Sequence, residues 1–285
     1  MTTAHHHYLD LGGSGPEAHF YHANGFPIGV YQPLINQLQQ LHLHALPMRP
    51  TWPNIGKPPR YHGWRLYVDD LINQIERHHT QPIIGIGHSL GASCTALAAI
   101  KRPDLFQALV LIEPITVPRW QAQLLRLAPR RLKAKHPLIK STLNKRDRWH
   151  TPQQFVSDFA KLKPFRQIPT QHLSAFAEHA VRPIDNQFEL VFRKEWEAAN
   201  YSEVRDIMPQ LTQLQLPTVA IRGKPSAFVT EHTWRQLQQP KRPWRFKQDF
   251  SYGHLLPLEA PEICADLIVD GLRELGQLQP QKNRA

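Results

Sequence analysis

Short apolar stretches alternate with helical patterns over the first third of the chain. His6–Leu11 and Ala18–Ala23 read as strands, Val30–Leu41 as a helix and His42–Met48 as a further strand. Trp64–His78 then carries Leu66, Val68, Leu71, Ile72 and Ile75 at helical spacing, which predicts one buried stripe. In Pro82-Ile83-Ile84-Gly85-Ile86-Gly87 the apolar run is nearly unbroken, the pattern of a strand covered on both faces. Leu90–Ile100, rich in alanine, predicts a helix packed tightly on a sheet and ended before Pro103. Ala108–Ile112 repeats the buried-strand pattern. This alternation predicts a mostly parallel sheet flanked by helices.

The alternation stops after Glu113-Pro114. From Ile115 to Leu214 the chain reads as basic and aromatic helices broken by prolines, with no apolar strand of comparable strength. The strand pattern returns at Pro217–Arg222, followed by a helix near Thr230–Leu237 and a strand at Trp244–Asp249. A last amphipathic helix, Pro261–Leu275, is expected to turn Ile263, Leu267, Ile268 and Leu272 inward. The expected organisation is a core in two parts, 1–114 and 215–276, a helical lid at 115–214 and a polar tail at 277–285.

Composition fits one folded unit with an insertion: 285 residues, 41% apolar and 20% charged, enough for a sizeable core and unlike a disordered chain. The two cysteines, Cys94 and Cys264, sit inside apolar helical patterns, which gives neither a disulfide framework nor a Cys-x-x-Cys metal site. No basic start with an apolar core, and no run of about eighteen apolar residues, is present. A soluble, cytoplasmic protein is expected, with no cofactor or metal in its site; the oligomeric state stays open.

Charge changes the picture of the insertion. Between Pro114 and Phe165 twelve Lys and Arg face only Asp147 and Asp158, so ten of the eleven excess positive charges lie there. Trp120, Trp149, Phe155, Phe159, Phe165, Phe176, Phe188, Phe192 and Trp196 add more aromatic surface to the insertion than a solvated segment needs. Helices with basic outer faces suit contact with an anionic membrane surface, and a solvated basic face is the competing reading. Nucleic acid is not an expected partner, because no recognised binding module accompanies the charge.

The chemistry gathers around Gly87-His88-Ser89-Leu90-Gly91, between a buried strand and a helix. A sharp strand-to-helix turn leaves no room for side chains beside the serine and holds its hydroxyl out at the strand's carboxyl end. The helix start offers backbone N–H groups and a positive dipole to a developing oxyanion. Two further segments complete a pattern: His22-Ala23-Asn24-Gly25-Phe26-Pro27 after an early strand, and Tyr252-Gly253-His254-Leu255-Leu256-Pro257 before the last helix.

In their order and spacing these three motifs resemble the α/β-hydrolase superfamily, over Ala18 to Leu275. The resemblance implies the α/β-hydrolase fold, Ser89 as nucleophile, His254 as base and an oxyanion hole from the backbone N–H groups of Phe26 and Leu90. Asn24 stands where the family's loop usually has histidine, and only Arg49 remains of an Asp-x-Arg-Gly loop, where a loop-anchoring role is expected. His88 is expected to pack rather than face the hydroxyl. The usual place of the acid, after the strand that follows the lid, holds Ala227 and no carboxylate in Ile221–Phe228. Some members, haloalkane dehalogenases among them, carry the acid after the preceding strand, where this chain has Glu113. Glu113 is therefore assigned, with Asp249 as the weaker alternative and a helix-capping or loop-anchoring glutamate as the non-catalytic reading.

The expected activity is hydrolysis of a carboxylic ester with a small to medium apolar substrate, through an acyl-Ser89 intermediate. Phe26 and Trp120 are expected to line the substrate pocket. Amide or carbon–carbon bond cleavage and acyl transfer stay open, since the triad does not choose among them. The reading from another class is a non-catalytic homologue that binds a ligand or an anionic surface, motivated by the missing acid.

Overall fold

The computed structural model describes residues 8–239 and 241–279. The run His5-His6-His7 and the end of the tail lie outside them. The strands are β1 (Leu9–Gly12), β2 (Glu17–Tyr21), β3 (His42–Ala45), β4 (Ile83–His88) and β5 (Phe106–Ile112), then β6 (Arg148–Trp149), β7 (Val181–Ile184) and β8 (Gln187–Leu190), and finally β9 (Thr218–Gly223) and β10 (Trp244–Asp249). Seven form one sheet in the order β1-β3-β2-β4-β5-β9-β10. Only β1 runs antiparallel to its neighbour.

The continuous apolar runs follow from helices on both faces. Along β5, Ala108, Val110 and Ile112 point into one core, with the helix Pro261–Glu274. Leu109 and Leu111 point into the other, with the helices Arg65–His78 and Leu90–Lys101. Successive strand residues alternate sides, so each face needs its own apolar partner. The helix Arg65–His78 buries Tyr67, Val68, Leu71, Ile72 and Ile75.

The structure corrects three sequence readings. The helix expected over Val30–Leu41 is a 3-10 turn at Ile28–Tyr31 and one α-turn at Gln32–Ile35, followed by turns. The β1–β2 turn packs against its end: Ser14 N–H donates to the Gln39 carbonyl (2.9 Å), and a Cβ at Gly13 would lie 2.0 Å from the Leu41 carbonyl oxygen. In the last helix Ile263 is exposed, and the inward stripe runs through Cys264, Ala265, Ile268 and Leu272. The insertion is not purely helical, since β6, β8 and β7 form a small antiparallel sheet. The hairpin turns at Asp185-Asn186, where Asp185 has φ 48°, a conformation that short polar residues tolerate.

Candidate active site

Parallel strands direct the loops after their carboxyl ends to one edge, where such sheets place their sites. Ser89 follows β4, Glu113 follows β5, and His254 lies beyond β10. Ser89 has φ 56° and ψ −118°, a strained conformation held because the turn is hemmed in on both sides. A Cβ at Gly87 would meet the Ala92 backbone at 2.6 Å, and one at Gly91 the Tyr21 carbonyl oxygen at 2.1 Å. Both contacts are with backbone, which cannot step aside as a side chain can. Gly91→Ala is expected to cost about 3 kcal/mol or more through overpacking, measurable as a lower denaturation midpoint; an unchanged midpoint would contradict this close approach.

The structure brings Ser89, His254 and Glu113 into one hydrogen-bonded line. His254 Nε2 lies 3.0 Å from Ser89 Oγ, and its Nδ1 lies 3.0 Å from Glu113 Oε2. Glu113 is fully buried, and every neighbour hydrogen-bonded to its carboxylate is a donor. Oε1 accepts the Gly223 N–H at 2.8 Å, and Oε2 also accepts the Ser226 hydroxyl. The Ser226 oxygen in turn accepts the N–H groups of Phe228 and Val229, at 3.2 and 3.0 Å, so its proton is free for Glu113. A carboxylate so placed requires Nδ1–H on His254, which leaves the Nε2 lone pair facing Ser89.

Asp249 does something else: its Oδ1 accepts the N–H groups of Ser251 and Tyr252, at 2.7 and 2.9 Å, fixing the turn that leads to His254. Ser226, beside Ala227, supports the acid from the position where the acid itself was sought.

A second hydrogen-bonded chain holds the histidine loop. His88 Nε2 lies 2.8 Å from the His254 carbonyl oxygen, and His88 Nδ1 lies 2.8 Å from Tyr31 Oη. Tyr31 Oη accepts the Ala23 N–H at 3.2 Å. The carbonyl can only accept, so His88 carries its proton on Nε2 and takes the Tyr31 proton at Nδ1. Burial, with His254 nearby, pushes the His88 pKa well below the usual histidine value. His88 is thus a neutral bridge rather than a proton carrier. The Phe228 ring packs on the His254 imidazole, with centroids 4.3 Å apart.

Of the two expected oxyanion donors, Leu90 N–H opens the helix Leu90–Lys101, where first-turn N–H groups have no intrahelical acceptor. Phe26 N–H closes a turn onto the Ala23 carbonyl at 3.3 Å, a long bond at the edge of the useful range. Asn24 ties this loop to the insertion: its side-chain amide donates to the Glu197 carbonyl (3.1 Å) and its oxygen accepts from Asn200 (2.8 Å). Lys145 pairs with the Glu197 carboxylate, which is packed against Gly25. Arg49 makes a bidentate pair with Asp70, at 2.6 and 2.7 Å, and so anchors its loop to the helix Arg65–His78. His22 is buried and its pKa is lowered to about 4 by desolvation, with Nε2 accepting the Met48 N–H.

Phe26 lies beneath the insertion's aromatic cluster, 6.1 Å from the Phe165 ring and 5.9 Å from Phe176. Phe159 joins both, at 4.3 and 5.3 Å. Trp120, expected in the pocket, is 64% exposed instead. The helix Arg119–Leu127 buries none of its residues, so its tryptophan has no apolar wall to fill.

A family model described as the alpha/beta hydrolase family matches residues 12–267. The chain belongs to that family, and it is a hydrolase. It is 25% identical over 222 residues to 2-(acetamidomethylene)succinate hydrolase from Mesorhizobium japonicum, covering 76% of this chain and 74% of that one. The abhydrolase domain-containing protein ACTT2 of Alternaria alternata is 25% identical over 228 residues, 67% of this chain and 82% of that protein. Among solved structures, E-2-(acetamidomethylene)succinate hydrolase superposes with a TM-score of 0.75 at 22% identity, over 94% of this chain and 98% of that one.

Proposed function

We propose that the protein is a serine hydrolase of carboxylic esters with an apolar acyl group, working through an acyl-Ser89 intermediate. The observation that carries this is the unbroken line Ser89–His254–Glu113, with a donor at every carboxylate contact. His254 takes the Ser89 proton as the serine attacks the carbonyl, and returns it to the leaving alcohol. Glu113 holds the tautomer and stabilises the imidazolium. Leu90 N–H is the better oxyanion donor, with Phe26 N–H joining once the long turn bond to Ala23 opens. The Phe26, Phe159, Phe165 and Phe176 cluster supplies an apolar wall suited to an acyl chain. The empty acid position that favoured a non-catalytic reading is compensated by Glu113, so that reading loses its motivation.

A panel of p-nitrophenyl esters tests the ester assignment. The expected result is turnover that rises from acetyl to medium acyl chains. Labelling of Ser89 by a fluorophosphonate without turnover of any ester would move the assignment to amide or carbon–carbon bond cleavage.

The lid's outer face supports a further part of the proposal, that the enzyme works at an anionic membrane surface. Trp120, Leu124 and Leu127 are 64, 66 and 82% exposed and share one face of the helix Arg119–Leu127. Among the described residues Arg119 and Arg126 of the same helix, and Arg131, Lys135 and Lys140 of the segment that follows it, have no acidic partner within 4.0 Å. An apolar stripe with basic flanks is the composition of an interfacial helix. Association of two such faces would juxtapose like charges, which disfavours a second copy as the partner. Among the described residues no helix is long and apolar enough to cross a membrane. The protein is expected to sediment with phosphatidylglycerol vesicles and not with phosphatidylcholine vesicles, and Trp120→Ala with Leu127→Asp is expected to weaken binding at least tenfold. Equal binding to both vesicles, or none, would sink this part.

A further inference from the structure

At the other end of the sheet, three imidazoles converge on one carboxylate. Glu17 opens β2, His42 and His44 lie on the same face of β3, and His79 caps the helix Arg65–His78. β2 and β3 are paired with Glu17 opposite His42, which sets the carboxylate beside both histidines. His42 Nδ1 is 2.8 Å from Glu17 Oε1, and His44 Nε2 is 2.8 Å from Oε2. His79 Nδ1 lies 3.5 Å from the same Oε2. One donor atom from each of Glu17, His42 and His44 lies within 4.8 Å of the others.

We propose that Glu17, His42 and His44 form a binding site for a divalent transition-metal ion of the zinc type, with His79 beside it. Donors about 2.0–2.2 Å from a tetrahedral zinc are roughly 3.3–3.6 Å from one another, and Glu17 already holds His42 and His44 at 2.8 Å. A small contraction or spreading of side chains would make room for the ion, with no strand moved.

The groups behind the donors fit the same purpose. His42 turns its other nitrogen to Asp10 Oδ1 at 3.1 Å, and His79 turns its Nε2 to Tyr8 Oη at 2.8 Å. A carboxylate or hydroxyl on the far nitrogen is how ligating histidines are oriented in metal sites. The Tyr8 ring also stacks on His44, with centroids 5.3 Å apart, and walls the cluster. Imidazole nitrogens and one carboxylate select zinc and its transition-metal neighbours over magnesium, which favours oxygen donors.

The site is separate from the triad. Glu17 precedes Ala18, which pairs with Ile84, whereas Ser89 follows the far end of β4; at about 3.3 Å per strand residue the two are roughly 20 Å apart. An ion here would cross-link β2 and β3, stabilising the sheet edge that β1 covers.

The test uses the full chain and a version with His5, His6 and His7 replaced by alanine, because three adjacent histidines are able to bind metal themselves. After dialysis against Zn2+ the replaced version is expected to retain one equivalent by elemental analysis and to unfold several degrees higher than the metal-free protein, with no such gain from Mg2+. His42→Ala with His44→Ala should lose both effects. If circular dichroism shows that pair misfolded, His42→Gln with His44→Gln replaces it, keeping side-chain bulk and hydrogen bonds. Loss of the bound equivalent on replacing His5, His6 and His7 alone, or its retention in the folded glutamine pair, would overturn the assignment.

Discussion

Ser89→Ala lowers kcat/KM on p-nitrophenyl esters by about four to six orders of magnitude, to the residual level that oxyanion contacts and binding alone sustain. The loss is this large because Ser89 Oγ is the atom that bonds to the acyl carbon in the proposed mechanism, and no neighbour can replace it. Ser93, one helical turn on, is buried, and its hydroxyl is committed to the carbonyls of Ser89 and Ile115, at 3.2 and 2.7 Å. The fold should survive, since the Ser89 side chain caps no helix. An alanine variant that unfolds at the same temperature as the parent but loses turnover is the expected outcome, and retained turnover would place the chemistry elsewhere.

The second large effect is at Glu113. In Glu113→Gln one carboxylate oxygen becomes an NH2 group among three donors: Gly223 N–H, the Ser226 hydroxyl and His254 Nδ1–H. The amide must set a donor against a donor, or force His254 into the tautomer whose proton sits on Nε2 and blocks attack by serine. Activity is expected to fall by about 10^3 to 10^4, with a stability loss of about 1–3 kcal/mol from the unmatched buried group. Asp249→Asn is the contrast, because an amide oxygen can still accept from Ser251 and Tyr252. It should change activity less than threefold. The reverse pattern, measured by steady-state kinetics on both variants, would assign the acid to Asp249.

Some of this was legible in the sequence because the physics is local. The elbow needs a buried strand, a tight turn and a helix in immediate succession, and Ile83–Lys101 writes all three within one window. Buried strands announce themselves as apolar runs, and the fold follows from their alternation with helices. His254 and Glu113 were reached through their place after particular strands, by resemblance rather than by residue pattern. The rest depends on contacts between distant segments. Nothing in the local sequence ties Tyr31 to His88 and His88 to the His254 carbonyl, nor Ser226 to Glu113.

The misreadings have equally physical causes. The Val30–Leu41 stretch has helical periodicity, but past Ile35 its backbone closes into tighter turns, Gln37 N–H on the Leu34 carbonyl, Leu38 N–H on Ile35 and Leu41 N–H on Leu38, while the Gln39 carbonyl accepts the Ser14 N–H of the β1–β2 turn. Trp120 was expected to line the substrate pocket, yet it sits on a helix with no buried face. The cluster at Glu17 was dispersed among seventeen histidines, and only the pairing of β2 with β3 draws its members together.

The central claim, that Ser89 is activated by His254, is tested most directly by treating the folded protein with a fluorophosphonate and mapping the adduct by peptide mass spectrometry. The account predicts one adduct per chain, on Ser89, absent from heat-unfolded protein and strongly slowed in His254→Ala. No adduct, an adduct on another serine, or labelling of Ser89 at the same rate in His254→Ala would contradict it.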